Sequence, residues 1–217
     1  MIPKVIVQTS RTKPQSYIID MIKENSEGWD YKHYTDQEII DFFTFNPIQE
    51  FPNIIQKFYS FNYGEHRADL FRYYYLYIKG GVYMDTDAMI EVNINDIVKN
   101  YTYFSVNSTY FPQSIFQGFI GCTPKHPIIY KGLYDIYHIN NKELIERPEN
   151  FHNICRNMYK FVNEYPNKDL IHLYEEIYGD KYTAHIIDKT TGKIILKHYH
   201  INKIIPKRID YVNEYEQ

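Results

Sequence analysis

The chain has 217 residues, a formal net charge of −3 and a pI near 6.3, which excludes the basic patch of a nucleic-acid module and points to a single domain with a core of its own. Cys122 and Cys155 lie far apart without metal-ligand spacing, and the opening MIPKVIVQTS turns polar too early for a signal peptide. No apolar run approaches the roughly 18 residues of a membrane span, so the expectation is a soluble, cytoplasmic chain with reduced thiols.

In chain order, residues 4–8 form a short β-rich apolar run that predicts a buried first strand. Residues 14–25 carry Ile18, Ile19 and Ile22 at helical spacing, and 29–34 read as a second strand. Thr35 and Glu38 match a capping box that opens a helix running through Phe43. Residues 47–58 read as a helix interrupted by Pro52. From 63 to 79 the pattern is strongly helical. Ala68, Phe71, Tyr75 and Ile78 share one face, while Glu65, Asp69 and Arg72 line another. Gly80-Gly81 ends that helix, and Val82-Tyr83-Met84 is a strand. Residues 96–100 suggest one helical turn, 102–106 and 115–120 strands, 127–138 and 149–164 helices, and 169–178 a shorter helix. Residues 182–188 and 193–200 flank Lys189-Thr190-Thr191-Gly192 and read as a β-hairpin, followed by a polar tail from 202 to 217. Strands alternating with helices give an α/β class, in which ligands bind beyond the carboxyl ends of strands.

One such end carries Asp85-Thr86-Asp87. Two carboxylates one residue apart repel each other and lose hydration unless a cation sits between them. Oxygen ligands favour Mg²⁺ or Mn²⁺, ions that commonly complete their shells with substrate phosphates and water. The turn therefore suggests a metal-held diphosphate and a nucleotide-type donor.

The block Arg67-x-Asp69-x-x-Arg72-Tyr73-x-x-Leu76-x-x-x-Gly80-Gly81-Val82-Tyr83-x-Asp85-x-Asp87 resembles the DxD-motif sugar-transferase family. That family includes initiating α-1,6-mannosyltransferases and capsular polysaccharide glycosyltransferases and, more distantly, clostridial glucosylating toxins. Residues 2–9, with Gln8 and Thr9, are similar to its opening strand, and Gly121-x-x-Pro124-x-His126-Pro127 to a later loop. The similarity covers residues 2–130. It implies a GT-A type, Rossmann-like nucleotide-sugar-binding fold with a mixed central sheet, in one domain over 1–217. Residues 2–130 would form the donor part and 131–217 a divergent acceptor part. It also implies a retaining transferase that uses Mn²⁺ or Mg²⁺ and a UDP- or GDP-sugar. The acceptor would be a glycan, lipid-linked or protein hydroxyl.

By the family pattern, Asp87 binds the metal, Asp85 the ribose and metal, and Asp69 and Arg72 the donor sugar and phosphate. Tyr83 would lie near the nucleotide and the Gln8-Thr9 loop would face the base. The chain reads Val7-Gln8-Thr9-Ser10 where the family commonly has His-Gln-Thr-Trp, and it lacks the family's late Ser-Trp pair. Lys197-His198-Tyr199-His200 then offers His198, ahead of His200, as third metal ligand.

Bland readings stand beside these roles. Asp69 and Arg72 also fit an i,i+3 helix ion pair, Arg67 a surface or structural charge, Tyr83 plain core, His126 a helix cap and Gln117 a loop lining. Two other function classes fit part of the pattern. One is a non-catalytic nucleotide-sugar-binding module of the same fold. The other is a haloacid-dehalogenase-like phosphohydrolase, although there the D-x-D sits near the N-terminus rather than in mid-chain.

Overall fold

A computed structural model describes residues 1–146 and 150–199. Among these residues nine strands form one mixed sheet. In chain order they are β1 (Val5–Thr9), β2 (Asp30–Tyr34), β3 (Gly81–Met84), β4 (Ala88–Ile90), β5 (Tyr103–Asn107), β6 (Ile115–Cys122), β7 (Ile171–Tyr178), β8 (Thr183–Ile187) and β9 (Ile194–Tyr199). Their lateral order is β2-β1-β3-β6-β5-β7-β8-β9-β4. β1 pairs in parallel with β2 and β3, β5 in parallel with β7, and the other pairings are antiparallel. The α/β class, the mixed central sheet and the C-terminal hairpin match the sequence expectation.

Helices cover both faces. α1 (Ser16–Glu24) buries Ile18, Met21 and Ile22 in a core shared with Val82, Met84, Phe104 and Leu196. The opposite core receives α2 (Asp36–Phe45), α3 (Ile54–Ser60), α4 (Gly64–Lys79), α6 (Pro127–His138) and α8 (Asn153–Glu164). Two short helices, α5 (Ile94–Val98) and α7 (Asn141–Glu146), complete the set.

Local chemistry fixes the element ends near the site. The Thr35–Glu38 capping box forms in full, with the Thr35 amide donating to Glu38 Oε2 at 2.8 Å. α4 stops at Gly80, whose φ of 65° suits a residue without a side chain. A Cβ on Gly80 would also meet Pro124 Cδ at 2.7 Å and the Cys122 carbonyl at 2.8 Å. Gly81 lies so close to β1 that its Cβ would stand 2.9 Å from the Val5 carbonyl. The glycine pair thus ends the helix and lets β3 lie flat against β1.

The structure corrects four readings. α4 is not simply amphipathic: residues 69–76 are all buried, whereas Ala68 and Ile78 are only half-buried. It runs between the sheet and neighbouring helices, so aromatic residues occupy faces that a surface helix would leave polar. The helix expected over 47–58 begins only at Ile54. The chain before it is held by the Tyr74 hydroxyl, which donates to the Asn46 carbonyl at 2.8 Å and accepts from the Ile48 amide at 3.0 Å. The helix expected over 169–178 is strand β7, because an open edge of β5 pairs with it from Tyr103↔Ile171 to Asn107↔Glu175. β4 was not expected at all: three residues are too few to show a period, and β9 supplies its hydrogen bonds.

β4 also defines the shape of the sheet. It follows β3 after a single turn, yet it is the far edge strand, beyond β9. The sheet therefore curls so that its last strand returns to the turn between β3 and β4. That turn is Asp85-Thr86-Asp87.

Candidate active site

The turn is clamped through its backbone before its side chains take any role. The Asp85 amide donates to the Gly118 carbonyl at 2.9 Å and the Asp85 carbonyl accepts from Ala88 at 3.2 Å. Gln8 Nε2 also donates to the Asp85 carbonyl at 3.0 Å, and Gln8 Oε1 accepts from the Tyr31 hydroxyl at 2.7 Å. On the other side the Tyr199 amide donates to the Asp87 carbonyl at 2.8 Å.

The curled sheet brings β9 to this turn. His198 Nε2 lies 3.2 Å from Asp87 Oδ1. One ligand atom from each of Asp85, Asp87 and His198 falls within 4.8 Å of the others, the metal-capable group among the described residues. Burial alone would lower the His198 pKa, but the hydrogen bond and charge of Asp87, with Asp85 and Glu176 beyond, raise it. Two carboxylates and an imidazole are donors suited to a divalent ion such as Mn²⁺. Gly118 keeps the space open, since a Cβ there would collide with Asp85 Oδ2 and the Phe116 ring. The residues present therefore fit a divalent ion.

Beside this group lies a second charge chain. Arg72 donates from NH1 to Asp69 Oδ1 at 2.6 Å and from NH2 to Asp85 Oδ1 at 3.2 Å. Its guanidinium carbon stands 4.1 Å from the centroid of Tyr83. The Arg72 side chain is only 4% exposed and that of Asp69 12%, so this is no solvated helix-surface pair. Burial raises the Asp69 pKa and Arg72 opposes that rise. Asp69, Arg72, Tyr83, Asp85, Asp87 and His198 thus converge on one cavity of about 1240 Å³.

Thr9 borders the same cavity, but its hydroxyl is turned to the Tyr34 carbonyl at 2.8 Å. Gln8 is fully buried and does not border the cavity. Its side chain holds the Asp85 backbone and accepts from Tyr31. Tyr83 serves as the floor beneath Arg72. Arg67 borders the cavity and is tied to its neighbours: Nε donates to the Phe61 carbonyl at 3.0 Å and NH1 pairs with Asp36 at 3.5 Å. His126 caps α6, accepting from the Ile128 amide at 3.3 Å through Nδ1. Gln117 sits on strand β6 rather than in a loop, and its Oε1 accepts from the Tyr73 hydroxyl. His200 and the tail 202–217 lie outside the described residues.

Sequence reasoning missed one carboxylate. Glu176, on β7, is 3% exposed and borders the same cavity. Ser108 donates to its Oε2 at 2.6 Å, and the Thr109 hydroxyl donates to its backbone carbonyl. Burial raises its pKa. The available signal was the run Ile171-His172-Leu173-Tyr174, rich in β-branched and aromatic residues, which argues strand and puts Tyr174 and Glu176 on one face.

With this geometry in hand, the comparisons with known proteins become interpretable. The family model described as a glycosyltransferase sugar-binding region containing DXD motif matches residues 8–104. Inositol phosphoceramide mannosyltransferase 1 of Schizosaccharomyces pombe is 27% identical over 127 residues, 58% of this chain and 38% of the relative. Mannosyl phosphorylinositol ceramide synthase CSH1 of Saccharomyces cerevisiae is 30% identical over 142 residues, 64% of this chain and 36% of the relative. The matched stretches thus span little more than a third of these relatives' length. Among solved structures, PaToxG Glycosyltransferase aligns over 77% of this chain and 72% of its own, with a TM-score of 0.46 and 16% identity. No helix among the described residues is long and apolar enough to cross a membrane.

Proposed function

Starting from residues 8–104, which belong to the DXD-motif glycosyltransferase sugar-binding family, we propose that this chain transfers a hexosyl group, with retention, from a nucleoside diphosphate sugar to a hydroxyl. The observation that carries the reading is the convergence of Asp85, Asp87 and His198 beside the Asp69–Arg72–Asp85 chain. The names of the relatives make a mannosyl group the first donor to test and a phosphoinositol lipid one acceptor among glycan, lipid-linked and protein hydroxyls.

Asp85, Asp87 and His198 would hold Mn²⁺ or Mg²⁺. Bound there, such an ion supplies positive charge where the diphosphate leaving group gains negative charge. The chain's own residues add to this. Arg72 is held in place by Asp69, Asp85 and Tyr83, so a fixed cation faces the leaving group without reorganising during reaction. Asp69 accepts hydroxyls of the donor sugar and counters the positive charge that builds on its ring. Burial of the Arg72 and Asp69 side chains strengthens their interaction. Retention is assigned to front-face attack, with the departing phosphate taking the acceptor's proton. The division into a donor part over 2–130 and an acceptor part over 131–217 belongs to the proposal, with His198 of the later part as third metal ligand.

The test is a thermal-shift and turnover screen of UDP- and GDP-sugars with Mn²⁺, with Mg²⁺ and with EDTA. The expected result is a metal-dependent shift with one donor and release of its nucleoside diphosphate. A metal-dependent shift with no release, acceptor mixtures included, would overturn the transferase in favour of a binding module. The absence of any nucleotide-dependent shift would overturn the donor site itself, and turnover of simple phosphate esters would then indicate a phosphohydrolase.

A further inference from the structure

Among the described residues, the cavity holds one buried carboxylate that belongs neither to the Asp85–Asp87–His198 ligand set nor to the Arg72 chain, although its charge acts on His198. Glu176 is 3% exposed and is not part of the Asp85–Asp87–His198 group. Its registered neighbours across β8 and β9 are Ile186 and Leu196, so Glu176 and His198, two residues beyond Leu196, share one face of the sheet. The Ser108 hydroxyl and the Thr109 and Tyr110 amides donate to this carboxylate, and with about four acceptor sites it keeps capacity for a ligand hydroxyl.

Position along the sheet indicates which ligand. The lateral order runs from β1, whose Thr9 borders the cavity, through β3 and its acidic turn, then β6 and β5 to β7. The family resemblance puts the base toward the Gln8-Thr9 end of β1, and the function proposed above puts the diphosphate at the turn. β7 is on the opposite side. The cavity, at about 1240 Å³, exceeds the usual ~300–1,000 Å³ of a single-ligand site. Room therefore remains beyond the diphosphate, against Glu176 and Ser108. A carboxylate accepts hydrogen bonds from hydroxyls and repels phosphate, so the reacting end of the acceptor is uncharged.

We propose that Glu176, oriented by Ser108, is the acceptor-binding residue and takes hydroxyls of a neutral polyhydroxyl ring, a sugar or a cyclitol. The inference rests on the transferase reading. Glu176 touches the acceptor, whereas Ser108 is a positioning residue that acts through Glu176.

Saturation-transfer NMR tests the site directly, using methyl α-D-mannoside and myo-inositol as probes in the presence of Mg²⁺ and either UDP or GDP. Wild type should show transfer to the ring protons of at least one probe. Glu176→Gln should weaken that probe's affinity by about 10-fold, because a charge-assisted hydrogen bond becomes a neutral one. Ser108→Ala should weaken it less, while both variants keep their nucleotide-dependent thermal shift. With a turnover-competent donor, the ratio of sugar transferred to donor hydrolysed should fall by the same factor, chiefly through the acceptor KM. Three results would overturn the proposal: no probe binding to wild type, equal probe affinity in wild type and Glu176→Gln, or joint loss of probe and nucleotide binding in a folded Glu176→Gln. If Glu176→Gln does not fold, Ser108→Ala decides alone, unchanged probe affinity counting against the proposal. If wild type binds a probe yet never turns over a donor, the transferase reading fails while the neutral-ring site stands.

Discussion

Replacing Arg72 by Met tests whether the second charge chain is as buried as it looks. Met fills much of the same volume but leaves Asp69 and Asp85 without the cation that holds them. Breaking a buried pair from one side costs about 3–5 kcal/mol, because the remaining charge stays out of water. For a chain of this size each kcal/mol moves Tm by roughly 2–4 °C, so the loss should be about 6–20 °C. Removing both partners should be cheaper than removing one: Asp69→Asn with Arg72→Met is expected to recover a good part of the loss. Arg72→Lys keeps the charge but cannot reach both carboxylates in one plane or lie flat on Tyr83, so it should fall between wild type and Arg72→Met. Circular-dichroism melts in EDTA read all four proteins without interference from metal. An Arg72→Met protein melting within about 1 °C of wild type would mean that the pair is solvated, and the preorganised cation would have to be abandoned.

Three further outcomes are expected. Asp87→Ala should lower kcat by at least ~10³, about 4 kcal/mol of barrier, with the fold preserved by near-wild-type melting in EDTA; wild-type-like transfer would sink the metal assignment. Gly118→Ala should abolish metal-dependent nucleotide binding, seen as a missing thermal shift, because the added methyl takes the space of the Asp85 carboxylate. His126 gives the pH dependence. Burial lowers its pKa to about 4, whereas an unfolded histidine titrates near ~6.5. Between those values the unfolded chain binds the extra proton, so this contribution to stability is complete above ~6.5 and is lost as pH falls toward 4. His126→Asn, which keeps a capping side chain, should flatten the drop in urea midpoint over that interval, and an unchanged slope would rule His126 out as its source.

Local signals were legible wherever a few neighbouring residues decide the outcome. Thr35 and Glu38 announce their helix because both halves of the cap lie within one turn. Gly80-Gly81 and the acidic turn were equally plain, since conformation and charge repulsion act between adjacent residues. What escaped depends on partners far away in the chain. β4 exists because β9 arrives beside it, and β7 is extended because β5 offers an edge. Misreading β7 as a helix also hid Glu176, whose side-chain direction is set by the two-residue alternation of a strand. Gln8 was expected to face the base from the family resemblance alone, and its side chain bonds to Tyr31 and the Asp85 carbonyl, partners 23 and 77 residues away. His198 could be named in advance but not its reach to Asp87, which needs the sheet to curl.

That curl has a consequence for how the protein is made. Asp87 and His198 are neighbours in space, yet the chain between them includes most of the second half of the sheet. On the proposed function, a growing chain that has finished its acidic turn would have no metal site; the site would form only when the β8–β9 hairpin seats itself, which would make it a late, non-local contact. An ion bound there clasps the last strand to the middle of the sheet. At a hundred times its Kd it adds about 2.7 kcal/mol to the folded state. That gain should appear first as slower amide exchange along the β4–β9 seam, so that the ion acts as a mark of completion, retained by chains that have closed their sheet and lost by those that have not.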